Sequence, residues 1–353
     1  MKKLVSINIL TYNGEKLIGP CLKSVLKQTY ANLEILIIDN GSKDGTIKKV
    51  KSQKSKVKII ENEQNLGFSA GHNIGIRKSM GEYILCLNQD VVLDKDFVKY
   101  AVEAMEKNNR IAAVQGKLYK IKSQKLKVKS IIDTTGLVIF KNRRVVNRGQ
   151  GTEDKGQYNK TEEIFGVDGA APLYCRKALE DVKIDNEYFD EDFFCYKEDV
   201  DLAWRMRLYG WKAIYEPKAI AYHLRGAGEK AVKNYVSVIQ QRKNLSKFAK
   251  FYSFKNDRLM RIKNELPSLF FRDIFSILIK ELGAWAYVLI FEHYTWKAIK
   301  ELFRQMPNAW RKRKIIMENK KNNSKDIKKW IQQNLTQFNH LKNSKLLNPG
   351  DQK

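Results

Sequence analysis

Along the first two-thirds of the chain, short apolar runs that stop at polar or acidic residues alternate with stretches whose apolar positions recur at helical spacing. Leu4–Leu10, Leu33–Ile38, Val57–Ile60, Tyr83–Leu87 and Ile111–Gly116 are such runs. Their near-continuous apolarity predicts strands buried on both faces of a mixed or parallel sheet. Between them, Leu17, Ile18, Cys21, Leu22, Val25 and Leu26 fall on one face of a helix over Glu15–Gln28. A glycine-rich turn from Asn65 feeds a second helix to about Met80, and Asp94–Asn108 reads as a third. The strand–helix cadence predicts an α/β sheet. Beyond it, Lys117–Tyr158 is a lysine-rich, hairpin-like excursion with Gly136–Ile139 as its one apolar strand. Helices at Tyr174–Leu179 and Val200–Tyr209 and short strands at Trp211–Tyr215 and Ala219–Tyr222 follow.

After Arg225 the pattern changes. Ala231–Phe254 and Asn256–Lys263 read as basic helices, and Leu269–Trp296 mixes charges with apolar groups before turning almost wholly apolar from Leu282 to Phe291. Composition therefore divides the chain into a sheet-forming part (1–226), a basic helical part (227–318) and a polar tail (319–353), partly disordered toward Lys353. Arg272, Asp273, Lys280 and Glu281 interrupt the best membrane candidate, so no transmembrane helix is expected. The N-terminal apolar run stops at Leu10 with no small-residue cleavage site after it and is read as the first strand.

Charge sharpens this division. The formal net charge is +27, and after Arg225 the chain carries 27 Lys and Arg against 10 Asp and Glu. Such an excess suits a polyanionic partner, either an anionic membrane face or nucleic acid. A lysine-rich genome composition is the bland alternative. Basic helices rich in Trp, Phe and Tyr favour the membrane interface, with a subunit interface in a homo-oligomer or packing on the sheet domain as competing readings. Cys21, Cys86, Cys175 and Cys195 form no close pair, which fits reduced core residues in a cytosolic protein.

Several acids stand where strands should leave the sheet. Asp39 follows the second strand, and Asn88, Gln89 and Asp90 follow the fourth. Ligands of open α/β sheets sit outside the carboxyl ends of strands, so these are natural metal or substrate positions, although a lone Asp equally starts a turn or caps a helix. An acidic cluster from Asp185 to Asp201 inverts the local charge. Within it, Glu198 and Asp199 fall at the start of a helix, where the dipole favours ionised carboxylates; capping and general-base catalysis both fit. His223 ends the last strand and is read as structural or as a ligand. The spacing GFSAGHNIG is not the dinucleotide-binding GxGxxG, so a Rossmann dehydrogenase is disfavoured.

Taken together, TYNG (11–14), IIDNGSKDGT (37–46), NLGFSAGHNIGI (65–76), LNQDVVL (87–93), FDEDFFCYKEDVDLAWRMRLYGWK (189–212) and AYH (221–223) resemble, in this order, an inverting family 2 glycosyltransferase. The likeness is strongest to a bacterial rhamnosyltransferase branch. It implies the GT-A nucleotide-diphospho-sugar transferase fold, a mixed, mostly parallel central sheet flanked by helices, followed here by a basic amphipathic helical region. It also implies roles. Thr11, Tyr12, Asn13, Asp39, Asn65, Gly67, Asn88 and Gln89 would bind the donor, and Asp168, Gly169 and Ala170 the acceptor. Asp90 and His223 would hold a divalent cation, Mg²⁺ or Mn²⁺. Asp199, paired with Glu198, would be the catalytic base. The expected reaction moves rhamnose from dTDP-rhamnose to a lipid-linked or polysaccharide acceptor at the cytoplasmic face of the membrane, with no nucleic-acid partner. One departure is plain: the family's DxD is Asn88-Gln89-Asp90 here, one carboxylate where two are common. A nucleotidyltransferase of similar fold is the main rival, yet TYNGEKLIG is a poor triphosphate loop; a basic nucleic-acid-binding protein is the other.

Overall fold

The computed structural model describes residues 2–53, 56–121, 131–224, 240 and 242–332. Its centre is a sheet of ten strands. Four parallel strands come first: β1 (Val5–Thr11), β2 (Leu33–Asp39), β3 (Lys58–Glu61) and β4 (Tyr83–Asn88), in the order β3-β2-β1-β4. Helices α1 (Ile18–Leu26), α2 (Thr46–Lys51) and α3 (Gly67–Lys78) form the crossovers. After β5 (Val91–Leu93) and α4 (Phe97–Met105), the long strand β6 (Ile111–Lys120) extends the sheet. The mixed, mostly parallel α/β sheet expected from the cadence is present.

Two strand assignments differ from the sequence pattern. Tyr174 and Cys175, read as the start of a helix, belong to strand β11 (Leu173–Cys175), inserted antiparallel between β4 and β6; α5 begins only at Arg176 and runs to Val182. The two short strands after α6 (Glu198–Leu208) are one strand, β12 (Lys212–His223), parallel to β6 with a register shift between Glu216 and Ile220. Pro217 lies in that irregularity, where a residue without an amide hydrogen is tolerated. The polar excursion is also more structured than its composition suggests. It contains β7 (Ile131–Thr134), β8 (Leu137–Phe140) and β9 (Val145–Asn147), with β10 (Glu162–Ile164) after it, and Ile132, Asp133, Ile139 and Phe140 are buried.

Apolar clusters cover both faces of the sheet. One packs α1 and α4 against Val5, Ile7, Leu85 and Val114; the other packs α3, α5 and α6 against Ile84, Cys86 and Tyr174 and continues into the C-terminal helices. Those helices are α7 (Lys247–Asn264), α8 (Pro267–Arg272), α9 (Ile274–Phe291) and α10 (Trp296–Asn319). The first part of the expected 231–254 helix, residues 231–239, lies outside the described residues. From Lys247 that helix is unbroken through Asn256 to Asn264.

The acidic cluster explains the packing of α7 and α10. Lys263 of α7 pairs with buried Asp190 and lies 2.8 Å from Asp201, and Lys312 of α10 lies 2.6 Å from Asp190 and 2.9 Å from Glu187. These lysines hold the Asp190 carboxyl well below the usual range although burial opposes it. Part of the positive excess thus neutralises the catalytic domain's own acids.

Two expectations change on the C-terminal side. Lys280 and Glu281 do not break the apolar face of α9: Lys280 donates to Asp257 at 2.7 Å, and Glu281 pairs with Arg258 and Arg261, both at 2.8 Å. With those charges turned onto α7, α9 is long and apolar enough to cross a membrane by length and composition, with 18 residues and a mean hydropathy of 1.8. The first part of the polar tail is folded. Asn323 caps α11 (Ser324–Lys328), and β13 (Ile331–Gln332) pairs with β8. Residues 333–353, where disorder was expected, lie outside the described residues.

Candidate active site

The parallel register brings the strand-end residues to one edge. Thr11 of β1 stands opposite Asp39 of β2, and Leu10 opposite Asn88 of β4. Gln89 ties these ends together. Its Oε1 accepts from the Thr11 hydroxyl (2.5 Å) and the Tyr12 amide (3.1 Å), while its Nε2 donates to the Tyr12 carbonyl (3.1 Å). Gln89, expected to touch the donor, therefore has its amide occupied by the Thr11–Tyr12 loop. Asp39 is buried and accepts from the Ser42 amide and hydroxyl; the same hydroxyl accepts from the Asn13 amide, and Asn13 Oδ1 accepts from the Lys43 amide. The result is a cradle of two knitted loops from which Tyr12 stays 43% exposed.

Asn65 and Gly67 sit beside this cradle as the entry to α3. Asn65 Oδ1 accepts from the Gly67 amide at 2.9 Å and faces Asn40 Nδ2 at 3.3 Å. Gly67 has φ +82, and a Cβ there would lie 2.5 Å from the Phe194 carbonyl, so glycine is required by both conformation and space. That carbonyl accepts from the amides of Phe68 and Ser69, joining α3 to the loop that leads into α6.

Asp90 and His223 meet because β5 runs antiparallel to β12, with Val91 opposite His223. His223 Nε2 is 3.2 Å from Asp90 Oδ2, and its Nδ1 is 2.8 Å from the buried Asp133 Oδ2. Burial alone would lower the His223 pKa, but the Asp133 and Asp90 carboxylates push it up to about 9. One carboxylate, one imidazole and a second carboxylate fixing the far ring nitrogen is a common metal-binding pattern. Among the described residues no group of three or more His, Cys, Asp or Glu gathers to hold a metal. One carboxylate and one imidazole suit a divalent ion that takes its remaining ligands from water or a bound anion. Asp133 was missed in the sequence, although Ile131-Ile132-Asp133 repeats the strand-then-acid pattern of Ile37-Ile38-Asp39.

Asp199 and Glu198 open α6 after an unusual loop. Phe194, Tyr196 and Lys197 have φ of 60, 68 and 76, conformations that side-chain-bearing residues adopt only when neighbours impose them. Asn256 of α7 is one such neighbour: its Nδ2 lies 2.8, 2.9 and 2.7 Å from the carbonyls of Phe193, Cys195 and Tyr196. Nothing in the local sequence pattern links position 256 to this loop.

The helix dipole was expected to favour the ionised form of both acids, and desolvation opposes it at each. Burial pushes the Asp199 carboxyl up to about 6, with the nearby Asp168 carboxylate adding to the shift. Burial and the Asp199 charge raise Glu198 well above the usual range; Glu198 is 5% exposed, and its Oε2 has no partner among the described residues. Asp199 is the member of the pair that can serve as base near neutrality. Its Oδ1 accepts from the Val200 amide at 2.8 Å and its Oδ2 from the Gly169 amide at 3.1 Å.

The Asp168–Ala170 turn joins the two poles. Gly169 reaches Asp199, while the Ala170 carbonyl accepts from the Asn88 amide at 3.0 Å, two residues before Asp90. Asp168 is itself fixed, by Asn147 Nδ2 on its Oδ2 (3.0 Å) and by its amide donating to Gln115 (2.7 Å). The Asp199 carboxylate and the backbone of Asn88, two residues before Asp90, are thus both bonded to one short turn.

Residues 6–183 match the family model described as glycosyl transferase family 2. The poly-beta-1,6-N-acetyl-D-glucosamine synthase of Staphylococcus epidermidis is 29% identical over 223 residues, which are 62% of this chain and 50% of that protein. The chain thus spans about half the length of the curated relatives it matches. Two solved structures share the fold. The mannosyltransferase PcManGT from Pyrobaculum calidifontis, in complex with GDP-Man and Mn²⁺, has a TM-score of 0.50 at 16% identity, covering 90% of this chain and 86% of that one. TarS 1-349 from S. aureus has a TM-score of 0.51 at 16% identity, covering 90% and 88%. With half of the chain under the family model and the GT-A sheet in place, this protein belongs to glycosyl transferase family 2.

Proposed function

We propose that the chain transfers a sugar from a nucleotide-diphospho-sugar to a hydroxyl of a lipid-linked or polysaccharide acceptor, with inversion at the anomeric carbon. The observation that carries this reading is the Asp168–Ala170 turn, which fixes Asp199 and the Asn88–Asp90 loop at one site. Asp199 removes the proton of the acceptor hydroxyl as its oxygen bonds to the anomeric carbon; the bond to the diphosphate oxygen breaks, and its electron pair leaves with the nucleoside diphosphate. The two loops at Thr11–Asn13 and Asp39–Thr46 hold the nucleoside. Asp90 and His223 would hold a divalent cation, which neutralises the leaving diphosphate when bound; PcManGT, with Mn²⁺ in its complex, supports this assignment.

For the donor, the rhamnosyltransferase-like motifs favour dTDP-rhamnose, and the relative that makes a poly-N-acetylglucosamine favours UDP-N-acetylglucosamine. Nucleoside diphosphate release from a panel containing both, with Mg²⁺ or Mn²⁺, decides between them. The reading expects turnover with one donor and its loss in Asp199→Asn with donor affinity kept. No release from any donor, or an unimpaired Asp199→Asn enzyme, would overturn it.

The same proposal places the protein on the cytoplasmic face of the membrane. Phe275, Ile279, Leu282, Ile290 and Phe291 of α9 are exposed by 60–79%. This outer face would lie among lipid headgroups while Lys280 and Glu281 hold the inner face on α7. Cosedimentation with vesicles containing anionic lipid, reduced several-fold by Leu282→Lys, is the expected result; equal partition of the variant would remove the membrane reading.

A further inference from the structure

Four aromatic rings gather on the lip of the site beside the catalytic acid, and neither the reaction nor the core uses them fully. Phe194 and Tyr252 stack at 5.1 Å with planes 16° apart. Phe248 packs against Tyr252 at 4.8 Å and approaches Tyr196 at 6.4 Å. Phe248 remains 50% exposed and Tyr196 44% exposed. Apolar surface left open at the edge of a polar site is what ligand-binding grooves present.

The placement is specific. Three peptide units separate Tyr196 from Asp199, so their Cα atoms are at most about 11 Å apart. One or two linked sugar rings cover that reach. The loop carrying Phe194 and Tyr196 is held in left-handed conformations by Asn256, and the Phe194 carbonyl seats the start of α3. Its rings are therefore held on a fixed support. On the far side, the Phe68 ring lies 3.3 Å from where a Cβ on Gly169 would sit, and Gly169 bonds Asp199. A second aromatic ring thus borders Gly169, the residue that bonds the base.

We infer that Phe248, Tyr196, Phe194 and Tyr252 form a stacking platform for a neutral pyranose ring of the acceptor saccharide, next to the ring that presents its hydroxyl to Asp199. The C–H face of a pyranose is apolar and slightly positive, and it rests on the negative face of an aromatic ring. A neutral saccharide fits the uncharged ring faces, and the charges of Asp199 and Asp168 beside them would repel an anionic glycan. This inference deepens the proposed function and rests on it for the word acceptor; binding itself is measured without donor.

The test is saturation-transfer NMR with the full chain, without donor or metal, on a panel of neutral methyl pyranosides and di- to tetrasaccharides of glucose, N-acetylglucosamine, galactose and rhamnose. At least one should contact the protein through its C–H face. Phe248→Ala should weaken that contact roughly three- to ten-fold, and Phe248→Trp should restore it. In turnover assays the alanine variant should raise acceptor KM by a similar factor and leave kcat at saturation in place, whereas Met80→Ala, an exposed change just past the C-terminal end of α3, should alter neither. No saccharide contact with the wild-type chain would overturn the platform, as would unchanged contact in both Phe248→Ala and Tyr196→Ala. Loss of anionic-vesicle partition in Phe248→Ala with saccharide contact retained would also overturn it, assigning the rings to lipid. Failure of the proposed function would appear separately, as absent nucleoside diphosphate release.

Discussion

Replacing Asn256 with alanine tests whether the C-terminal helices take part in catalysis or only cover the sheet. The carboxamide has two N–H hydrogens facing three carbonyls, those of Phe193, Cys195 and Tyr196, at 2.7–2.9 Å. Alanine removes both donors and leaves carbonyls without them in a region where Asn256 is fully buried. With about 1 kcal/mol per bond and 1–3 kcal/mol per stranded buried acceptor, the loop loses roughly 2–4 kcal/mol of support. Its three left-handed residues, Phe194, Tyr196 and Lys197, hold strain of about 1–3 kcal/mol each. The support lost is comparable with the strain, so the loop should relax and carry Asp199 with it. A shift of about 1 Å at a reacting group costs on the order of a hundredfold in rate. The expected result is a kcat for nucleoside diphosphate release about two orders of magnitude lower, with donor KM within a few-fold of the parent and a change in the acid limb of the pH profile. A variant with a lower Tm but the parent kcat and pH profile would refute the reasoning and leave Asn256 a packing residue.

Four further outcomes follow from the same geometry. Asp199 works as base only when ionised, so kcat/KM should fall below pH 6, with an apparent pKa near 6. The stability effect has the opposite sense: a carboxyl raised from 3.8 to about 6 binds its proton more tightly in the folded chain, so its contribution falls as pH rises from about 4 to 6. Asp199→Asn should therefore raise stability at neutral pH by roughly 1–2 kcal/mol after one lost hydrogen bond is deducted, read by thermal or urea unfolding. Lys263→Met leaves buried Asp190 and Asp201 with less opposing charge and should cost about 3–5 kcal/mol in the same assays. Asp90→Ala should weaken Mn²⁺ binding in the presence of nucleoside diphosphate at least tenfold, measured by calorimetry.

The sheet was legible because parallel strands write themselves as uninterrupted apolar runs, and four of them end at the same edge. That edge is also why Thr11, Asp39 and Asp90 could be chosen from the sequence. Strand β11 was not legible: three residues leading straight into α5 carry no period long enough to separate strand from helix. Asp133 was hidden in a segment whose lysines suggested a rim, and Asn256 bonds loop carbonyls 60–63 positions away that any residue possesses. The dipole argument for Glu198 and Asp199 was incomplete for a different reason. Local position in a helix is visible in a sequence; burial of that helix start beneath α7, which raises both carboxyls, is not.

The return of the chain through β13 bears on how this protein can be dissected. Lys321 and Asn322 donate their amides to the Leu208 carbonyl at the end of α6, and Ile331 joins β8. The guanidinium of Arg207, in the same helix as the base, lies 4.0 Å from the centre of the Trp330 ring. The helical region is therefore fastened to the catalytic sheet at both ends, like a handle rather than a tail. Cutting after residue 226 would not liberate a smaller enzyme: it would uncover Asp190 and Asp201 without their lysines and remove Asn256 from the base loop. For domain exchange with other members of the family, the transferred unit must include the helical region and β13 (Ile331–Gln332) along with the sheet.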